Sequence, residues 1–391
     1  VITIVAVNVA TQTQQAPYGR AATQRPPFAL GCQPGATNVT TTNALLSEIS
    51  AGRNACVTAN LGNVTIDRVV RQSPVYIGTN GGSLGAVNIR DSAFIVIRQA
   101  RIRSVRISDS KNITVERSTI GGTKDNRVTD QLVFIPAPCS SNCTTYHNAD
   151  ITIQDNEIAW TRVAVPPDDG NYGYGIRAYS GDRLKILRNY IHDVAADGIQ
   201  IGSSYADIEI DRNEIGPVGT TPSNSTEHSD NIQVGAHGPN MRITNNWIHH
   251  QGYTDGNVTG NSGAIYIHGG TTNALLLENN LVESSRGRAE VCGLGTGGTS
   301  RSNTTVRGNT FRDLGQAFAS FPGFEWDCTS GSGNTVERNI AVDPDGGFAL
   351  NGSASSFTQS SNIWGQMNAV TFDNEGNCTS TNCNPSGQPT I

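Results

Sequence analysis

Lysine is almost missing from this sequence. Lys111, Lys124 and Lys185 are its lysines, so arginine carries nearly all of the positive charge and lysine-dependent catalysis has few candidates. Charged residues make up 15% and hydrophobic residues 36% of the 391 positions, too little of the Ala, Leu, Glu and Lys that long helices need. The formal net charge of −6 argues against a nucleic-acid partner. Long hydrophobic runs are scarce as well. Val1 to Ala10 (VITIVAVNVA) is apolar but too short to cross a bilayer, and no later segment is apolar enough, so membrane insertion of the mature domain is not expected. That first segment reads equally as the end of an export signal or as a strand covering one end of the fold.

What is plentiful is glycine, at 43 residues, which describes a turn-dense chain of many short strands. The 8 cysteines form local couples: Cys32 with Cys56, Cys139 with Cys143, Cys292 with Cys328, and Cys378 with Cys383. None shows the two-residue spacing or histidine company of a zinc site, so disulfides in a secreted or cell-surface protein are the better reading.

One template recurs along the chain: two alternating apolar residues, Asn three positions on, then another apolar residue. It runs through Ile151, Ile153, Asn156 and Ile158, then Leu184, Ile186, Asn189 and Ile191, then Ile208, Ile210, Asn213 and Ile215. Met241, Ile243, Asn246 and Ile248 repeat it, Leu275, Leu277 and Asn280 follow, and Val306 with Asn309 and Val336 with Asn339 continue the series. Upstream, Ser118 and Ala100 stand where the asparagine would be. Alternation with period two marks half-buried strands. Spacing between asparagines wanders from 24 to 34 residues while the template holds, which suits a coil of short strands with loops of free length at the corners. Asn tolerates the left-handed backbone of a tight corner, and its amide can bond to the asparagines above and below. The fold expected is all-β: a single-stranded right-handed parallel β-helix (solenoid) with a short N-terminal capping helix over 42–51 that presents Leu45, Leu46 and Ile49. Residues 1–40 form the export or capping segment, 41–375 the solenoid and 376–391 a tail.

A second set of strands aligns on Ile176, Ile199, Ile232 and Ile265, which point inward. Their neighbours Arg177, Gln200, Gln233 and Tyr266 therefore form a column on the outer face, with Tyr179 and His268 two residues further along. The loops 160–173, 216–229 and 249–262 are long enough to wall a groove over that face. Six of the 7 histidines, His192, His228, His237, His249, His250 and His268, fall between 192 and 268 beside Asp197 and Asp230. The residues expected to carry chemistry are Asp197, Asp230, His228, His268 and Tyr266; Arg177, Gln200, Gln233, His249, His250 and Tyr253 are expected to bind substrate. Either aspartate could instead cap a turn. Asp197 and Asp230 could serve as the carboxylate pair of a glycoside hydrolase. Abstraction of a uronate C5 proton would instead use His228, His268 or Tyr266, with Arg177 neutralising the carboxylate. No cofactor is assigned with certainty; Ca²⁺ held by Asp197, Asp230 and Asp168 or Asp169 is the candidate.

The repeated strand–Asn–strand template, over roughly residues 57–372, resembles the pectate-lyase-like superfamily of right-handed β-helix proteins. That resemblance implies a polysaccharide partner, since the superfamily includes pectate and alginate lyases, mannuronan C5-epimerases, polygalacturonases and phage tailspikes. Ser229-Asp230-Asn231 and Ala236-His237-Gly238 only faintly echo polygalacturonase motifs; no Arg-Ile-Lys follows, and the epimerase Asp-Pro-His-Asp is absent. No catalytic residue is carried over by motif. The sequence thus points to a monomeric carbohydrate-active protein, a uronate lyase or C5-epimerase ahead of a hydrolase, with a non-catalytic glycan-binding adhesin or spike as the other class.

Overall fold

The computed structural model describes residues 29–137, 148–162, 173–179, 181–202, 205–219, 229–235, 237–249, 263–268, 273–285, 288–292, 300–314, 324–343, 348–350 and 356–366. Their strands pair in parallel, coil upon coil, and form three faces of a β-helix. The first face is a 14-stranded sheet that runs from Thr37–Val39 to Thr358–Ser360. The second includes Glu157–Ala159, Tyr190–His192, Glu214–Ile215 and Trp247–His249, each paired with the next. The third includes Val133–Ile135, Ile176–Ala178, Ile199–Ile201, Ile232–Val234 and Gly263–Ile267, again each paired with the next. Near the N-terminal end, Ser83–Arg90 and Arg101–Ser108 bend from the second face onto the third, so the two sheets are continuous there.

Alternation places the core. Ile176, Ile199, Ile232 and Ile265 pair in register and are 0% exposed, as are Ala178, Ile201, Val234 and Ile267. Removing such an isoleucine side chain should cost about 2–5 kcal/mol, because stacked coils leave little room to collapse around a cavity.

The corner between the first and second sheets carries the asparagines as a continuous hydrogen-bonded ladder. Nδ2 of Asn156, Asn189, Asn213, Asn246, Asn280, Asn309 and Asn339 donates to Oδ1 of the next asparagine in the series, ending on Asn362, at 2.9–3.0 Å. The same oxygen also receives the backbone N–H of the preceding asparagine, as Asn246 Oδ1 does from Asn213 at 2.9 Å. Toward the N-terminus Ser118 takes over: its N–H donates to Asn156 Oδ1 at 3.0 Å and its Oγ accepts from Ala100 N at 3.1 Å. The ladder asparagines do not themselves adopt the left-handed backbone expected of them. The residue just before does, at Asp155 (φ 55°), Arg188 (52°), Arg212 (54°), Asn245 (57°) and Asn279 (53°). The corner therefore divides its work: one residue reverses the chain, and the next satisfies buried backbone donors on the neighbouring coil.

The helix Thr42–Ser50 buries Leu45 and Ile49 against the first coil, with Leu46 packed beside them. Thr41 begins it by accepting from Ala44 N at 3.2 Å. Cys32–Cys56 ties the entering chain to this end, and Cys292–Cys328 joins two coils further along. Cys139, Cys143, Cys378 and Cys383, and the segments 1–28 and 367–391, lie outside the described residues.

Candidate functional site

Arg177, Gln200, Gln233 and Tyr266 are paired in that order on consecutive rungs of the third sheet and alternate with the buried isoleucines. They face outward as one column. Arg177 is clamped: its guanidinium carbon lies 4.4 Å from the Tyr174 ring centroid and 4.7 Å from that of Tyr179. Its Nε is buried without a hydrogen-bond partner. Phe134, one rung earlier, meets Tyr179 edge-on at 6.1 Å and lies 4.7 Å under the Arg106 guanidinium. Two cations and three aromatic rings thus interleave over consecutive coils. Tyr179 can lie there because Gly202, on the next rung, has no side chain: a Cβ at that position would sit 2.2 Å from the ring. Alternation in the sequence shows the Arg177 column but not this packing, for which Tyr174 and Tyr179 flanking the strand are the only local sign.

Gln200 donates to Gln233 on the next rung and to Asp197 Oδ2 at 3.1 Å, and its own Oε1 is buried without a partner. Asp197 and Asp230 are 1% and 0% exposed. Asp197 Oδ1 accepts the backbone N–H of Asp230 at 2.8 Å, and Asp230 Oδ1 accepts that of Gly263. The two aspartates are thus rungs of a second corner ladder, which holds the starts of the third-sheet strands in register. This inter-coil role differs from both expectations for Asp197 and Asp230, the turn cap and the acid–base pair. Of the calcium ligands the sequence offers, Asp197 accepts hydrogen bonds through both oxygens and Asp230 through one. Among the described residues no group of three or more His, Cys, Asp or Glu side chains converges as metal ligands would.

Tyr266 and His268 lie together further along the column, their rings 4.6 Å apart and edge-on, and the column runs on through Glu290 and Glu325 on the next two rungs. Three rungs separate Tyr266 from Arg177, roughly 14 Å at the usual strand spacing. They cannot touch the same sugar unit, so the expected candidates divide into an arginine subsite and a tyrosine–histidine subsite joined by the glutamines.

The histidines do not form one site. His249 belongs to a strand of the second sheet rather than to a groove loop; it lies against Trp247 at 4.2 Å and 3.5 Å from Glu214. His192 occupies the same column of that sheet, stacked on Tyr190 at 4.0 Å. Burial acts to lower its pKa, but hydrogen bonds to Asp193 at 2.8 Å and Glu157 at 3.3 Å outweigh that and hold it above the ordinary value. The signal for this column was in the sequence, as an aromatic residue and a His flanking an inward Ile in Tyr190-Ile191-His192 and Trp247-Ile248-His249.

His237 is structural. Its Nδ1 donates to Gly238 O at 2.6 Å, which leaves Nε2 to accept from Arg301. Arg301, 0% exposed, also donates to Thr304 Oγ1 at 2.9 Å and to the His268 carbonyl at 3.0 Å, so it ties three coils together. Burial and the adjacent guanidinium push His237 down to about 4. His228, His250, Tyr253, Asp168 and Asp169 lie outside the described residues, as does most of the three loops expected to wall the groove.

Residues 138–311 match a family model described as a right-handed beta helix region. No curated protein matches the sequence. Among solved structures the chain is similar to the Dettilon tailspike protein, at 16% identity over 87% of this chain and 67% of that one, TM-score 0.48. It is similar also to the A-module of the Azotobacter vinelandii mannuronan C-5 epimerase AlgE4, at 15% identity over 87% and 95% of the chains, TM-score 0.43. A third is PfbA, a surface adhesin of Streptococcus pneumoniae, at 11% identity over 87% and 94%, TM-score 0.38. At such identities the likeness is one of fold.

Proposed function

We propose that this right-handed parallel β-helix protein is an exported carbohydrate-active protein that holds an acidic polysaccharide along the outer face of its third sheet. The observation that carries the reading is Arg177, a cation fixed between Tyr174 and Tyr179 with a buried donor unused. A guanidinium so held loses little freedom when it meets a carboxylate, and the rings beside it offer apolar faces to pyranose carbons. The two described disulfides support an oxidising, extracellular setting.

The activity that fits best is a uronate lyase or C5-epimerase acting at the Tyr266–His268 pair. One of the pair takes the C5 proton of a uronate. In elimination the C4–O bond then breaks and the leaving oxygen receives a proton. In epimerisation a proton returns to C5 from the opposite face. Arg177 binds the carboxylate of a sugar several rungs away, so it sets affinity and position rather than the acidity of the reacting carbon. Hydrolysis by Asp197 and Asp230 is the weaker reading, because their carboxylates hold backbone N–H groups. That same engagement favours, as the second reading, a surface protein that binds the glycan without changing it.

A panel of acidic polysaccharides, followed by ultraviolet absorbance for unsaturated uronate, by reducing ends and by proton exchange at C5, separates the readings. Unsaturated product indicates a lyase, exchange alone an epimerase, and reducing ends alone a hydrolase. Saturable binding with none of these leaves a binding protein, and absence of binding overturns the proposal.

A further inference from the structure

We infer that the outer face of the first sheet is a second carbohydrate site, separate from the third-sheet groove and suited to a neutral oligosaccharide. A concave groove of about 580 Å³ lies there, within the size range of small-ligand sites. Its floor is a column of five residues on consecutive rungs, Thr114, Thr152, Lys185, Glu209 and Arg242. Over four rung spacings that column is roughly 19 Å long.

Two observations say what it would take. The neighbouring outward column of the same sheet is knit together: Gln154 donates to Glu116 at 2.6 Å, Thr244 to Asp211 at 2.8 Å, and Arg307 pairs with Glu278 at 2.5 Å. Lys185, Glu209 and Arg242 alternate in sign on adjacent rungs, yet none of them forms an ion pair or hydrogen bond among the described residues. Their donors and acceptors are available to a ligand. The second observation is charge balance: three acids (Asp150, Asp207, Glu209) face three bases (Arg183, Lys185, Arg242) around the groove. An anionic chain would gain nothing overall, whereas hydroxyl groups, each donor and acceptor at once, match a lining that supplies both. Phe94 at one end gives an apolar surface for a sugar face. The site does not depend on the function proposed for the third sheet.

The test is retention of the whole chain on an array of neutral glycans, with acidic oligouronates as the comparison. Wild type is expected to retain at least one neutral glycan. Thr152→Trp, which fills the groove floor, is expected to weaken that retention tenfold or more and to leave oligouronate binding unchanged. If T152W folds poorly, K185A/R242A serves instead, since both side chains are exposed. The inference is overturned if no neutral glycan is retained, if retention survives both variants, or if it is lost in Arg177→Ala instead. A wild-type dimer that T152W dissociates would also overturn it, by assigning the groove to a second copy of the chain.

Discussion

Asn246 shows how much one side chain does in this fold. Its Oδ1 receives two donors from Asn213, and its Nδ2 donates to Ile210 O at 3.0 Å and Asn280 Oδ1 at 2.9 Å, all in a 0% exposed setting. Asn246→Ala leaves buried groups without partners and should destabilise the protein by about 2–4 kcal/mol, measured by urea unfolding. Asn246→Ser should cost less, since Ser118 performs the acceptor's part at the end of the ladder. Asp230 is expected to behave likewise: Asp230→Asn keeps an acceptor for Gly263 and should fold, while Asp230→Ala should lower the melting temperature. Any loss of activity in D230A then has to be read after stability. Arg177→Ala should weaken acidic-glycan binding about tenfold, the order expected for one desolvated charge-assisted contact, without a comparable loss of stability.

Strand and corner were the most legible level. The alternation around Ile176, Ile199, Ile232 and Ile265 gave both the register and the outward column, because period two admits only one inward set. Local sequence could not tell which corner residue turns left-handed, since Asp155 and Arg188 adopt that conformation as readily as Asn245. Nor could it separate the histidines, because residues equally close in sequence fall on different faces: His249 on the second sheet, His268 on the third. The Gly202–Tyr179 contact joins two rungs and gives a test at this scale. Gly202→Ala should push Tyr179 off Arg177 and weaken acidic-glycan binding while leaving the arginine in place, as titration calorimetry can measure.

For the molecule as a whole, three coils meet at Arg301 and His237, and this makes stability depend on pH. The folded His237 pKa is depressed to about 4, below its ordinary 6.5, so the unfolded chain binds more protons between those values. Its stabilising contribution is present above pH 6.5 and falls as pH drops toward 4, by about 2–4 kcal/mol in all. His192, held above 6.5, contributes in the opposite sense: its stabilisation is full below that pH and is lost as pH rises through its folded value. His237→Gln should flatten the acid limb of unfolding curves between pH 6.5 and 4 relative to wild type. The solenoid itself was readable from repeated spacing. This tie was not, because nothing in the residues near His237 announces a partner at position 301. The proposed binding of acidic glycan rests on the third-sheet face of the coil. Titration calorimetry of a defined oligouronate against wild type, R177A and T152W tests that most directly. Saturable binding that R177A weakens about tenfold and T152W leaves unchanged is the expected result; no binding, or equal binding to wild type and R177A, would contradict the account.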